Sequence, residues 1–587
     1  MHKNLRSFLD TLKQEKDLAV ITAEVDPYLE IPEIHRRIIA EGGPALLFTN
    51  PKNRHFPIVT NLFGTKRRVE MAFGPRPEQL IQQIVQLIHQ MVPWKLGTLW
   101  KHREKLREFT KIGLKTVSRR RAPVLEVEEQ EFNLDDLPVL TSWHEDGGAF
   151  ITMPLVYTEH PQSKEHNLGM YRMQIHDYNQ TGMHWQIHKG GGFHHYEAEK
   201  LDEPLPVTVF LGGPPALMMS AIAPLPENVP ELLFTSFMMG DKLDVTRLKH
   251  HPHPLIAEAE FAICGEVPAH LRKAEGPFGD HYGYYSQRHD FPVFDVKQIY
   301  RREDAIYPAT VVGKPKQEDY FIGEYMSELL SPLFPLVMPG VKQLWSYGET
   351  GFHSLASAIV RESYHREAMA HAFRILGEGQ LTLTKFLMVT DEPCDLKHFP
   401  HFLEVMLERF DPKRDLVIIH DTSMDTLDYT GRKLNHGSKA IMLGVGDPIR
   451  ALPYQYKGPE LPGIEKIKPY CGGCLLISGK SYNEDANLAQ TLVKEAQAAF
   501  EDWPLVFLVD DVDRIQDQTS FLWTIFTRFD PAHDLYAKTT LHHHKVEFEG
   551  PIVIDARMKP FYPDEVEPRS DIVHKVNQRW KEYFSNP

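Results

Sequence analysis

The clearest pattern in the chain is the alternation from Asn167 to Gly192. Tyr171, Met173 and Ile175 share one parity; Arg172 and Gln174 share the other. After a polar stretch, His176 to Gly182, the apolar Met183, Trp185 and Ile187 alternate with His184, Gln186 and His188. Period two on both sides of a polar turn predicts a β-hairpin with one apolar face. Its other face collects Arg172, Gln174, His184, Gln186 and His188. A solvated strand usually carries Lys, Glu and Thr there, so this face is either an exposed polar surface or the wall of a site.

Helical spacing of Leu5, Phe8, Leu9 and Leu12 predicts an amphipathic N-terminal helix, and Glu78 to Met91 predicts another. Short strands are expected at Ala45 to Phe48 and Pro57 to Thr60. From there strands dominate: Leu205 to Gly212, Ala257 to Gly265, Val293 to Tyr300 and Ala305 to Val312, with a helical run at Pro215 to Ile222. Beyond about residue 320 helices and strands alternate: helix Ser357 to Arg374 before strand Leu381 to Val389, then helix Phe399 to Glu408 before strand Asp415 to Ile419. RFDPKRDL at Arg409 returns as RFDPAHDL at Arg528, 119 positions later (409 to 528), and in the same ungapped register FLMVTD at Phe386 aligns with LVFLVD at Leu505. This reads as a partial duplication of a strand–helix–strand unit. In the second copy Pro504 stands where the first has Lys385.

The patterns predict a multidomain α/β and mainly-β fold. An N-terminal α/β domain (1–115) is followed by a central mainly-β, barrel-like domain (116–320), a C-terminal α/β domain (321–450) and a partly duplicated extension (451–587). With 587 residues, 42% of them hydrophobic, the chain can bury a sizeable core. Its net charge of −15 argues against a nucleic-acid partner. The basic run Lys115 to Arg121 reads as a solvated link. No apolar span suggests membrane insertion, no signal peptide is visible, and four cysteines make no disulfide framework. A cytoplasmic protein is expected.

The string with most chemistry is Glu275 to Tyr285, EGPFGDHYGYY. Its acids Glu275 and Asp280 flank GPFG, a turn of little bulk. A carboxylate pair on a tight loop can keep one acid protonated beside a charged neighbour, and the same string also describes a surface turn with two solvated acids. Glu231 has capping-box spacing from Asn228 at the start of an apolar helix, which does not prevent it from facing a site. Cys471-Gly-Gly-Cys474 is half of a zinc or redox motif, and Lys249 to His253 reads as surface. Neither a Walker A string nor a GxGxxG after a strand is present.

Taken together, NLGMYR at Asn167, HKGGG at His188, EGPFGDHYGYY, and LTLTKFLMVTD around Lys385 resemble the UbiD family of decarboxylases, which use prenylated FMN. The resemblance runs from about residue 1 to about 450. It implies a flavin-binding split barrel, with the cofactor phosphate held through a divalent metal, usually Mn2+, bound by Asn167, His188 and Glu231. It implies K+ as a further ion near the carbonyls of Ser220 to Ala223. Met170, Tyr171, Arg172, His184, Trp185, Gln186, Lys189 and Gly190 match cofactor-contacting segments, and Lys385 matches a lysine that reaches the cofactor from the third domain. The family's catalytic trio lands on Glu275, Arg172 and Asp280, with Asp280 returning the proton that replaces CO2. The resemblance implies reversible, non-oxidative decarboxylation of an aromatic or α,β-unsaturated acid, with a quinone precursor as the leading substrate, a flavin prenyltransferase as cofactor supplier, and a homo-oligomer. The alternatives are an oxidoreductase using unmodified FMN and a non-catalytic assembly protein. One conflict remains: Asn167 has the parity of the apolar face, and a bulge at Gly169 is the expected way to turn it.

Overall fold

Asn4 opens the first helix, Leu5–Gln14, with a capping box. Its side chain accepts from the Ser7 amide at 2.9 Å, and the Ser7 hydroxyl accepts from the Asn4 amide at 3.3 Å. The four apolar positions of its stripe are buried, each contributing about 1.5–3 kcal/mol for a large side chain. The computed structural model describes residues 2–91, 111–185, 190–223, 225 and 229–584. The chain folds as two compact units, Met1–Leu329 with Asp564–Pro587, and Leu330–Pro563. Among the described residues no helix is long and apolar enough to cross a membrane.

In the first unit, strands Leu18–Ile21, Ala45–Phe48, Ile58–Thr60 and Tyr307–Pro308 make a small sheet in that order. Only Tyr307 and Pro308 of the stretch expected as a strand over 305–312 pair, and they do so with Ile58 and Val59. Behind it lies a ten-stranded sheet whose longest strand, His289–Arg301, pairs with Phe261–Val267, and this in turn with Leu205–Leu211. The strand path runs from Phe150–Ile151 to His166–Met170 without closing, so an open sheet stands where a barrel is expected. The histidine-rich stretch at 249–253 is not all surface. His253 is buried, with Nδ1 3.0 Å from the Thr208 hydroxyl.

The hairpin in this sheet is shorter than the alternation predicts. Strand Met173–Asp177 pairs with Gln180–Gly182, and the turn is at Tyr178–Asn179, where the Asn179 amide donates to the Asp177 carboxylate. Met183 to Trp185 leave the ladder, and burial does not follow the parity: His184 and Gln174 are buried along with Met173, Met183 and Trp185, while Ile175 is half-buried. Gln186 to Lys189 lie outside the described residues. The expected bulge at Gly169 is absent. Strand His166–Met170 pairs in unbroken register with Leu155–Glu159. The chain then changes strand at Tyr171–Arg172, so a parity counted from Met173 does not extend back to Asn167.

The second unit contains two five-stranded sheets of one topology. The first runs Val341–Ser346, Leu355–Val360, Phe386–Thr390, His436–Gly444, Leu416–Ser423; the second Ile464–Cys471, Cys474–Gly479, Leu505–Val509, Lys545–Asp555, Leu535–His542. Both pair antiparallel, parallel, parallel, antiparallel. The offset of 119 carries Leu355–Val360 onto Cys474–Gly479, Phe386–Thr390 onto Leu505–Val509 and Leu416–Ser423 onto Leu535–His542. The helix expected over 357–374 is overturned at its start, because LASAIV is a central strand buried on both faces. Its unbroken apolar run carries no strand period, and the helix begins only at Glu367. Phe402, Leu403, Phe521 and Leu522 belong to one core shared by the two sheets.

Candidate active site

Arg172 sits where strand His166–Met170 ends and Met173–Asp177 begins, with its guanidinium between two acids from the 275–280 string. Nε donates to Glu275 Oε1 at 3.2 Å, Nη1 donates to Asp280 Oδ2, and Nη2 donates to the Ser286 hydroxyl at 3.2 Å. The ring of Phe278 lies 4.8 Å from the guanidinium carbon and packs against Phe150. The two acids are brought to one cation by the loop between them. Gly276 takes a positive φ of 95°, its amide donates to Gln174 Oε1 at 2.8 Å, and the Asp280 amide closes a turn onto the Tyr284 carbonyl at 3.0 Å. The solvated-turn reading is excluded: Glu275 is 1% and Asp280 7% exposed.

His184 closes the cluster, with Nδ1 donating to Glu275 Oε1 at 2.9 Å. Burial would push the Glu275 carboxyl up, but His184 and Arg172 outweigh it and hold the group below the usual carboxylate range. Asp280 follows the same logic. Burial raises it, while Arg172 and His281, whose Nδ1 lies 2.9 Å from Oδ1, bring it well below the usual range. Burial and Arg172 both lower His184. At rest the cluster is therefore a cation between two carboxylates. Glu275 Oε2 and His184 Nε2 are buried with no hydrogen-bond partner among the described residues. A Cβ on Gly182 would stand 2.6 Å from Glu275 Oε2, so only glycine fits beside that acid.

A second group forms around Asn167. Its Nδ2 is 3.4 Å from the Tyr171 hydroxyl, and a Cβ on Gly190 would stand 2.2 Å from its Oδ1. Trp185 Nε1 is buried without a partner among the described residues, beside Gly191. Glu231, the first residue of helix Glu231–Met239, accepts from its own amide and that of Leu168. Burial pushes its carboxyl up to about 7 against those two bonds. His166 Nε2 lies 4.0 Å from Glu231 Oε2 and has no hydrogen-bond partner among the described residues. The structure thus brings Asn167 and Glu231 to the same strand, near Tyr171 and Gly190. His188, with Gln186, Lys189 and the cap residue Asn228, lies outside the described residues. Met170 is half-buried at the end of the strand. Lys385 belongs to the second unit, where it is buried and pairs with Asp428 at 2.8 Å.

Several site residues had no role in the sequence reading. Gln174, on the polar face of the hairpin, holds the loop through Gly276 and the Gly147 carbonyl. Ser286 accepts the Phe278 amide while receiving Arg172. Asp146 accepts the amides of Ser142, Trp143 and Gly279, and burial pushes it up to about 7. Nothing in the string SWHEDGG signals that role; His281 could have been found by its adjacency to Asp280.

Family sequence models for the 3-octaprenyl-4-hydroxybenzoate carboxy-lyase match residues 9–88 (N-terminal domain), 115–315 (Rift-related domain) and 320–444 (C-terminal domain). The chain belongs to the UbiD family of carboxy-lyases. It is similar to a Chlamydia pneumoniae protein named as one of the subunits of 4-hydroxybenzoate decarboxylase, 51% identical over 99% of this chain and 98% of that one. The fold is that of UbiD-class enzymes. The Sedimentibacter hydroxybenzoicus vanillic acid decarboxylase in closed form superposes with a TM-score of 0.68 at 23% identity, covering 78% of this chain and 96% of that one. HmfF from Pelotomaculum thermopropionicum, in complex with FMN, gives 0.63 at 21% identity, covering 78% and 98%; an evolved dimeric form of it is in complex with prFMN. The UbiD domain models end at residue 444, which leaves the second sheet of the second unit outside them.

Proposed function

We propose that this UbiD-family chain catalyses the reversible, non-oxidative decarboxylation of an aromatic or α,β-unsaturated carboxylic acid with prenylated FMN. A quinone precursor, menaquinone ahead of ubiquinone, is the leading substrate. The observation that carries the proposal is Arg172 held between two buried carboxylates, Glu275 and Asp280. The cofactor class is supported by the UbiD-class neighbour bound to prFMN, and a flavin prenyltransferase would supply it.

The residues around Asn167 fit a metal-held phosphate. Asn167 Oδ1, a half-buried Glu231 carboxylate lacking a Lys or Arg partner among the described residues, and the imidazole Nε2 of His166 offer oxygen and nitrogen donors to a hard divalent ion such as Mn2+. His188 would complete the set. The last carbonyls of helix Pro215–Ile222, free of intrahelical partners, suit K+. Asn167, Glu231 and His188 would hold the cofactor phosphate, and Tyr171, Trp185 and Gly190 would line its ring system. The cofactor supplies the electron sink for the carbon that loses CO2.

The remaining chemistry falls to the cluster. Arg172 presents a planar fork suited to a substrate carboxylate. Turning to that carboxylate, it withdraws the strongest influence that lowers Asp280. Burial then pulls the Asp280 carboxyl up, so the acid that is charged at rest takes a proton and donates it to the carbon left by CO2. Glu275 stays fixed by His184 Nδ1, and Phe278 keeps water from the guanidinium face.

The test is to co-express the chain with a flavin prenyltransferase and weigh the bound flavin by mass spectrometry. The prenylated mass, with turnover lost in Asp280→Asn while flavin is retained, is the expected result. Bound FMN alone, with anaerobic reduction by a nicotinamide, would instead identify an oxidoreductase.

A further inference from the structure

The turn that carries Asp280 is held from its outer side by a segment that follows the whole second unit in sequence. Residues 279–285 fold back on themselves. Gly279 and Tyr285 form an antiparallel bridge, the Asp280 amide donates to the Tyr284 carbonyl at 3.0 Å, and the Gly283 amide donates to the Asp280 carbonyl at 2.8 Å. The other edge of this turn is occupied. Tyr284 and Glu565 are antiparallel bridge partners, the Tyr285 amide donates to the Asp564 carbonyl, and the Val566 amide donates to the Gly283 carbonyl, both at 3.0 Å.

Side chains fix the same contact. Val566, 1% exposed, packs between Trp143 and Tyr285, and the Trp143 indole is pinned by its bond to the Val312 carbonyl at 2.9 Å. Lys314 pairs with Glu565 at 2.8 Å and also with Glu567. The segment is anchored further on by helix Ser570–Tyr583. There Lys575, Arg579 and the Tyr583 hydroxyl converge on the buried Glu30 carboxylate at 2.8, 2.6 and 2.7 Å. Ile572, Val576 and Tyr583 join the core of the first unit. A buried acid that takes three donors from the helix at one end and a two-bond ladder at the other make the path of the segment specific.

We propose that residues 564–567 are a positioning strand for the Asp280 turn, added as an extra strand at its edge, and that UbiD-type catalysis in this chain depends on it. The proposal rests on the decarboxylase reading for its effect on turnover, but the strand itself can be tested without it. Three places on the turn are now fixed independently: Gly276 by Gln174, Gly279 by Asp146, and Gly283 with Tyr285 by the added strand. Only the last comes from beyond the residues that the family's domains cover.

Val566→Pro in the full chain removes the amide that meets Gly283, whereas Val566→Ala keeps the amide and trims the side chain. In Val566→Pro, amides of 283–286 should exchange with deuterium at least about tenfold faster, with strand Leu205–Leu211 unchanged. Turnover should fall about tenfold, with flavin content and KM within about twofold of the parent, and Val566→Ala should lie between the two. Parent-like exchange at 283–286 in Val566→Pro overturns the strand whether or not any acid is turned over. Faster exchange spread equally through Leu205–Leu211 also overturns it, since the segment would then support the unit as a whole. Faster local exchange with parent-like turnover overturns the dependence of catalysis on it. If the parent chain turns over no acid, the decarboxylase reading fails while the exchange result still decides the strand.

Discussion

Around Arg172 the two acids meet a guanidinium and imidazoles and sit below their usual titration range, whereas Glu231, from the same unit, meets two backbone amides and is pushed up to about 7. Glu275 and Asp280 are buried and Glu231 only half-buried, so burial alone would raise the first two more and cannot explain the contrast. The difference lies in the cation. The Arg172 cluster contains its own positive charge, whereas Glu231 has no Lys or Arg partner among the described residues and would receive one under the proposed function. A preassembled ion cluster can hold its geometry before ligand arrives. A carboxylate without a counter-charge is costly until an ion binds, and that cost favours binding.

The largest effect should come from removing the built-in cation. Arg172→Ala leaves Glu275 and Asp280 facing each other without a counter-charge, and turnover should fall by roughly 10³-fold or more with flavin still bound. Steady-state kinetics with flavin quantified by absorbance checks this, and near-normal turnover would break the contrast. Glu231→Gln acts at the other end. It should lower metal and flavin occupancy by at least the about 10- to 100-fold that loss of a metal's supporting partner costs, while Arg172 and its acids stay paired. Elemental analysis of the purified variant reads it directly; full metal content would remove Glu231 from the ligand set.

The smallest effect is a linked proton. Asp280 is ionised at rest because Arg172 and His281 together outweigh burial, Arg172 contributing most. If substrate draws Arg172 away, the carboxyl pKa rises in the complex, so binding takes up as much as about one proton. Affinity for an unreactive acid analogue should then weaken as pH climbs from the depressed resting value through the raised value of the complex. Calorimetry near pH 6 in two buffers of different protonation heat measures the uptake, which should vanish in Asp280→Asn. Absence of uptake in the parent would mean that Asp280 stays charged beside Arg172.

Much of the first contrast is legible in the sequence, because Arg172, His184 and Gln174 share a parity and EGPFGDHYGYY places two acids on one tight loop. What joins them is not legible: Asp146, Ser286 and Trp143 lie in strings without periodicity, and their roles depend on long-range hydrogen bonds. The second region is harder to read. Asn167 carries a parity that points the wrong way, because a change of strand at Tyr171–Arg172 resets the count. The duplication shows the opposite case. RFDP fixes a short turn in both copies, with Asp415 accepting the Asp411 amide and Asp534 the Asp530 amide at 3.0 and 2.8 Å, so local chemistry preserved the register across 119 residues. The central strand LASAIV was lost because a strand buried on both faces carries no alternation.

The added strand at Gly283 has a consequence for biogenesis. The first unit begins near residue 2, yet its Asp280 turn gains its outer edge only from residues 564–567, after the 330–563 unit has been translated. A nascent chain halted anywhere inside the second unit would carry Arg172, Glu275 and Asp280, with the Asp280 turn held by Gln174 and Asp146 but lacking its outer edge. If that edge positions Asp280 as proposed, translation order would withhold full activity from incomplete products.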